Sequence, residues 1–112
     1  MFLLLVPERV SKPLVYNIAA ESVILEWDPP SDGGSQITGY TIYKQLNDEG
    51  LFTQHASVSL AAIAEKVTGL APFTSYRFKV AGVNGRGQGN TSEASDLIMT
   101  APSGRFPNYV TC

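Results

Sequence analysis

Short segments rich in β-branched and aromatic residues recur about every ten residues along this chain, each closed by a cluster of turn residues. That rhythm is the mark of an all-β sandwich or barrel. Helical periodicity is scarce. The best helix candidate is Val58 to Lys66, with Ala61, Ala62 and Ala64, yet Ile63 and Val67 followed by Thr68 and Gly69 fit a strand equally well. The segment is taken as a strand.

The first strand is expected from Leu14 to Ile18, approached through Pro13, which has no backbone donor and suits an edge. From Ser22 to Trp27, Val23, Leu25 and Trp27 alternate with Ile24 and Glu26, so the first three should face a core. Asp28 to Gly34 then stops the strand with two prolines and two glycines. A third strand, Ile37 to Gln45, sets Tyr40 and Ile42 against Thr41 and Tyr43, and the turn Asn47 to Gly50 leads into a hairpin partner, Phe52 to Ser57. After the segment near Ile63 to Thr68 comes the clearest alternation, Ser75 to Val83: Tyr76, Phe78, Val80 and Gly82 inward, Arg77 and Lys79 outward. Asn84 to Asn90 reads as a glycine-rich loop, and a last strand is expected from Asp96 to Thr100.

A chain of 112 residues suits one domain with a single core, and 44% apolar with 16% charged residues describes a globular protein. Eight basic against ten acidic residues leave no electrostatic footprint for nucleic acid. The sole cysteine, Cys112, rules out an internal disulfide, so the fold must stand on packing. The apolar run Phe2 to Val6 lacks the flanks of a signal peptide, and no segment approaches the roughly 20 apolar residues of a membrane helix. Direct membrane insertion is not expected.

Several stretches together resemble the fibronectin type III pattern: Leu25, Trp27, Pro29 and Pro30; Gly33, Gly34, Ile37, Thr38, Gly39, Tyr40 and Ile42; Gly69, Leu70, Pro72, Thr74, Tyr76, Phe78, Val80, Val83 and Asn84; and Leu97, Thr100 and Pro102. The resemblance implies an all-β, seven-stranded antiparallel immunoglobulin-like sandwich with sheets of three and four strands. It implies Trp27 as the buried aromatic, within a structural core of Trp27, Tyr40, Leu70, Tyr76, Phe78 and Val80. Tyr76 would be a tyrosine-corner residue whose hydroxyl bonds backbone near Leu70. The sequence departs from the pattern at Lys44, where an aromatic is common, at Gly82, usually alanine, and at Glu65, which falls on an inward row and calls for a bulge or register shift.

The domain is expected over residues 11–102, with 1–10 as an extension or preceding linker and 103–112 as a tail or following linker. Leu3 to Pro7 resembles Leu97 to Pro102, and Phe106 to Val110 echoes Lys12 to Val15, so the chain reads either as one unit of a tandem array or as a domain whose ends match by chance.

No catalytic constellation is present. His55 is the sole histidine, sits on a hairpin strand far from Cys112 in sequence, and reads as solvated surface. Asp28 and Asp32, or Asn47, Asp48 and Glu49, lack the spacing of a calcium loop and read as turns. Gly85 to Gly89 joins two strands, so it reads as a flexible hairpin loop with no phosphate-binding role. In the family this loop carries adhesion motifs, but here Arg86 and Gly87 precede Gln88, so the Arg-Gly-Asp signal is absent, as is the second tryptophan of the cytokine-receptor pattern. Asn90, Thr91 and Ser92 form an acceptor for N-glycosylation. No catalytic, metal or cofactor site is expected.

Two surfaces remain for a protein partner. Thr41, Tyr43, Arg77 and Lys79 should project from the four-stranded sheet. The loops Pro29 to Gln36 and Gly85 to Asn90, with Arg86 and Gln88, should meet at one end as a second patch. The chain therefore reads as a non-catalytic interaction or spacer module of a larger multidomain protein, monomeric in isolation, with protein partners or neighbouring domains. The alternative is an accessory domain of a multidomain enzyme such as a carbohydrate-active hydrolase. The compartment leans to the extracellular or cell surface.

Overall fold

A computed structural model describes residues 5–59 and 62–103. The similarities noted at Leu3 and Leu4 and from Phe106 to Val110, like Cys112, lie outside these residues. The elements are β1 (Leu14–Tyr16), β2 (Val23–Glu26), β3 (Ile37–Leu46), β4 (Thr53–Ser59), β5 (Ala64–Val67), β6 (Ser75–Asn84), β7 (Gly87–Gln88) and β8 (Ile98–Met99). Of the stretch after Ser57, Val58 and Ser59 close β4 and Ala64 to Val67 form β5, with 60 and 61 outside the described residues.

One sheet runs β1-β2-β5 and the other β4-β3-β6, all antiparallel. Both β7 and β8 pair with β6: β7 opposite Val83 and Asn84, β8 opposite Ser75 and Tyr76. Since β3 occupies the other side of β6 from Tyr76 to Asn84, the two short segments are pieces of one interrupted last strand. The chain is thus a seven-stranded immunoglobulin-like sandwich, three strands facing four.

The core follows from alternation. Val23, Leu25 and Trp27 are buried while Ile24 and Glu26 are half-buried, and Tyr76, Phe78 and Val80 meet them from β6. The Trp27 ring meets Tyr40 edge-on at 5.1 Å between centroids, and Tyr76 stacks on Phe78 at 5.9 Å. Each such side chain contributes roughly 1.5–3 kcal/mol by leaving water. The Ala71 amide donates to the Tyr76 hydroxyl at 2.8 Å, tying the loop before β6 to the first inward residue of that strand.

The register opposite Glu65 contains no bulge. Val23 faces Val67 and Leu25 faces Glu65 without interruption. Because β5 is the edge of its sheet, Glu65 sits on the inward row yet remains half-exposed, so its carboxylate reaches water and needs no rearranged backbone. The irregularities lie in the other sheet, between Ile37 and Gly39 against β6 and between Ile42 and Tyr43 against β4.

The second of these leaves His55 as the extra residue of β4, and His55 is more than solvated surface. Its Nε2 lies 2.7 Å from the Thr68 carbonyl, which can only accept, so Nε2 carries the proton. Its Nδ1 then accepts from the Lys44 ammonium at 3.1 Å. Lys44, standing in place of an aromatic, thus reaches the segment after β5 through a histidine bridge between the two sheets.

The residues ahead of β1 pack on the domain. Val10 joins the core, Pro7 is buried, and the Leu5 amide donates to the Gly33 carbonyl at 2.9 Å. Gly82, on the inward row of β6, leaves room for this segment: a Cβ there would stand 3.1 Å from the Pro7 ring.

Candidate functional site

The outward row of the four-stranded sheet is assembled by register. Thr41 pairs with Ala81, Tyr43 with Lys79, and Gln45 with Arg77, so their side chains share one face. On the other side of β3, Thr41 opposes Ser57 and Tyr43 opposes Gln54. Thr41 is only 6% exposed although it faces outward. It lies in an open trough of about 480 Å³, bounded by Gly39, Gln54, Ser57, Val83 and Gln88 among others. The lining is uncharged and rich in hydroxyl and amide groups.

The two cations of this face are held by the protein itself. Arg77 donates through Nε to Asp48 at 2.9 Å and through Nη1 to the Ser95 carbonyl at 3.0 Å, spanning from the β3–β4 turn to the last strand. The Lys79 ammonium stands 4.5 Å from the centroid of the Phe52 ring. Both side chains are therefore positioned before any partner arrives, which lowers the entropy cost of using them in an interface. Arg77 is a strut as much as a cation.

The glycine-rich loop is shorter than its composition suggests. Only Gly85 and Arg86 turn the chain between β6 and β7, with the Arg86 amide bonded to Asn84 Oδ1 at 2.8 Å, while Gly87 and Gln88 pair with β6. Gln88 consequently belongs to the sheet face. Its amide donates to the Tyr43 hydroxyl at 2.7 Å and closes one end of the trough. Arg86 stays apart, exposed at the turn.

The two loops do meet at one end, joined by the Asn84 amide, which donates to both the Leu5 and Asp32 carbonyls at 2.8 and 2.7 Å. The chain's own Leu5 to Pro7 segment runs between them. A Cβ at Gly33 would stand 2.5 Å from the Leu5 and Val6 carbonyls, and one at Gly89 would overlap the Pro7 carbonyl. The space between the loops is filled from within, which leaves the sheet face as the better preformed surface.

Two residues that brace the outward face escape a reading based on alternation. Ser92 and Ser95, both buried, lie between β7 and β8, where their hydroxyls accept from the Val80 and Phe78 amides at 3.0 and 2.9 Å. Their own amides donate to the carbonyls of the same two residues at 2.8 Å. Side chains thus replace the missing half of the strand ladder and seat Ser95 so that its carbonyl receives Arg77. Their spacing of three has no strand period, so the sequence carries no signal for them beyond two serines near a turn. Asn90 is exposed, whereas Ser92 of the same triplet is buried. Among the described residues no group of three metal-ligating side chains comes together.

The family model for the fibronectin type III domain matches residues 8–98. Mouse protein sidekick-2 is 42% identical over 97 residues, covering 84% of this chain and 4% of its own length. The human cell adhesion molecule-related/down-regulated by oncogenes protein is 29% identical over 104 residues, covering 92% of this chain and 8% of that protein. Among solved structures, the twitchin kinase region from C. elegans superposes with a TM-score of 0.81 at 31% identity, over 91% of this chain and 18% of that one. This chain spans only a small fraction of the relatives it matches.

Proposed function

Because this chain belongs to the fibronectin type III domain family, we propose that it is a non-catalytic protein-interaction module of a larger multidomain protein, using the outer face of its four-stranded sheet. The preorganisation of that face supports the reading: Tyr43 bridged to Gln88, Lys79 seated on Phe52 and Arg77 braced between Asp48 and Ser95. An aromatic and two cations beside an uncharged trough suit a protein surface rich in hydrogen-bonding groups, with a carboxylate opposite the Lys79 end. The module is taken as residues 11–102, with 1–10 and 103–112 as the joints to its neighbours, and Pro7 and Val10 of the first joint pack on the domain. A cell-surface location is supported by a relative whose name is that of a cell adhesion molecule-related protein. A spacer or accessory unit attached to a catalytic domain is the second reading, supported by the similarity to a domain of a kinase region.

Partner capture with the intact protein tests the proposal. Tyr43→Ala with Lys79→Ala should abolish capture of partners held by the wild type, while Leu14→Ser on the opposite sheet should leave it intact. Equal capture by all three removes the sheet face from the account.

A further inference from the structure

Asn84 is the only asparagine of this chain followed by glycine. With no side chain to hinder the approach, a glycine nitrogen can attack the asparagine side-chain carbon and close a cyclic imide. The bond from Gly85 N to Asn84 Cγ forms, Nδ2 leaves as ammonia with the amide proton, and water opens the imide at either carbonyl to give an aspartate or an isoaspartate. The backbone itself does not demand glycine here. Gly85 lies outside the left-handed region, and a Cβ on it would meet only the Ser35 hydroxyl at 3.5 Å. Gly85 and Arg86 are exposed, so water reaches the turn.

The folded chain holds Asn84 away from this reaction. It closes β6 at 4% exposure, opposite Ile37 of β3 and Gly87 of β7. Its Oδ1 accepts from the Arg86 amide at 2.8 Å, and Nδ2 donates to the Leu5 and Asp32 carbonyls at 2.8 and 2.7 Å, so both amide protons are used. Leu5 lies ahead of β1, in a segment held by its own amide on the Gly33 carbonyl, by the Glu8 amide on the Ser31 carbonyl and by the buried Pro7. A segment with so few anchors opens more readily than the core strands. Once it lifts, Asn84 loses a bond and its cover, and its side chain is free to turn toward Gly85. Conversion then changes what the position can do. A carboxylate at neutral pH only accepts, so the Leu5 and Asp32 carbonyls would face an anion in place of two N–H donors.

We propose that Asn84 and Gly85 form a latent deamidation site that the chain's own Leu5 to Pro7 segment keeps closed, and that conversion bars the segment from returning. The site is thus a one-way record of how often the segment has opened. It stands apart from the outward row of the four-stranded sheet and does not rest on the role proposed for that face.

Peptide mass spectrometry of the 112-residue chain held at mildly alkaline pH tests it. Wild type unfolded in urea should convert at Asn84, and folded wild type at least about tenfold more slowly, since two hydrogen bonds and burial must be given up before the ring closes; equal rates overturn the proposal. Pro7→Gly removes the buried ring of the segment, and Gly89→Ala crowds the Pro7 carbonyl from the other side. Both should convert faster than folded wild type, whereas Ser95→Ala, which weakens the fold away from the segment, should not match them. If Ser95→Ala converts as fast, or neither segment variant exceeds wild type, the segment is not the guard and the proposal fails. Gly85→Ala should suppress conversion in urea, and undiminished conversion would overturn the assignment to this pair. Converted wild type, separated by ion exchange, should be cut by trypsin after Arg9 faster than the unconverted chain; equal resistance would overturn the barred return.

Discussion

Removing the Ser95 hydroxyl should weaken the domain far more than a serine-to-alanine change on its surface. The Phe78 amide, in the ten-residue core strand β6, has the Ser95 hydroxyl as its acceptor at 2.9 Å, and Ser95 is fully buried. In Ser95→Ala that amide is left without a partner and without access to water, which costs about 1–3 kcal/mol. The hydroxyl's donation to the Asp96 carbonyl adds little, because Asp96 is exposed and its carbonyl can turn to water. For a domain of this size each kcal/mol lowers the thermal midpoint by roughly 4–8 °C. Urea denaturation should show a shifted midpoint with unchanged slope, and the Phe78 amide should exchange faster with solvent. Ser57→Ala, on an exposed position of β4, should shift the midpoint by less than about 0.5 kcal/mol. If Ser95→Ala and Ser57→Ala unfold together and the Phe78 amide keeps its protection, the reasoning about side chains completing the strand ladder is wrong.

Tyr76→Phe keeps the buried ring and loses the acceptor for the half-buried Ala71 bond, so a loss of about 1 kcal/mol in denaturant unfolding is expected; an unchanged midpoint would rule the corner bond out as a stabilising contact. Gly89→Ala would drive a Cβ into the Pro7 carbonyl, where Gly85→Ala meets only the Ser35 hydroxyl at 3.5 Å. The first should cost about 1–3 kcal/mol and open the chain to trypsin after Arg9, and equal resistance in both variants would contradict the packed placement of Pro7. The Lys12 ammonium, 2.8 Å from Asp96, holds that carboxyl below its ordinary value. A carboxyl depressed in the folded state favours folding above its unfolded pKa and loses that contribution as pH falls through the folded one. The midpoint difference between wild type and Asp96→Asn at low salt should therefore shrink on acidification, and a pH-independent difference would refute the pairing.

The strands that bury one side against the core were readable from alternation alone, because burial imposes period two on Val23, Leu25 and Trp27 and on Tyr76, Phe78 and Val80. The same parity placed Thr41, Tyr43, Arg77 and Lys79 on one outward face. What alternation cannot express is pairing made by side chains. The last strand is divided because Ser92 and Ser95 supply acceptors in place of backbone, and polar residues with a spacing of three read as loop. Glu65 suggested a bulge because its edge position, which supplies water, depends on which strand lies beyond it. His55 looked solvated because both its partners, Lys44 and Thr68, arrive from other parts of the sandwich. The partners that hold the candidate face, Asp48, Phe52, Gln88 and Ser95, were hidden for the same reason: each lies outside the strand that carries the residue it holds, and none shares a sequence period with it.

The central claim, that the outer face of the four-stranded sheet is the surface used for recognition, is tested most directly by mapping amide shifts of the isotope-labelled chain on addition of a partner captured by the intact protein. The account predicts perturbations concentrated at Thr41, Tyr43, Arg77, Lys79 and Gln88, with β1 and β2 silent. Perturbations confined to β1, β2 and β5, or to the turn at Arg86, would contradict it.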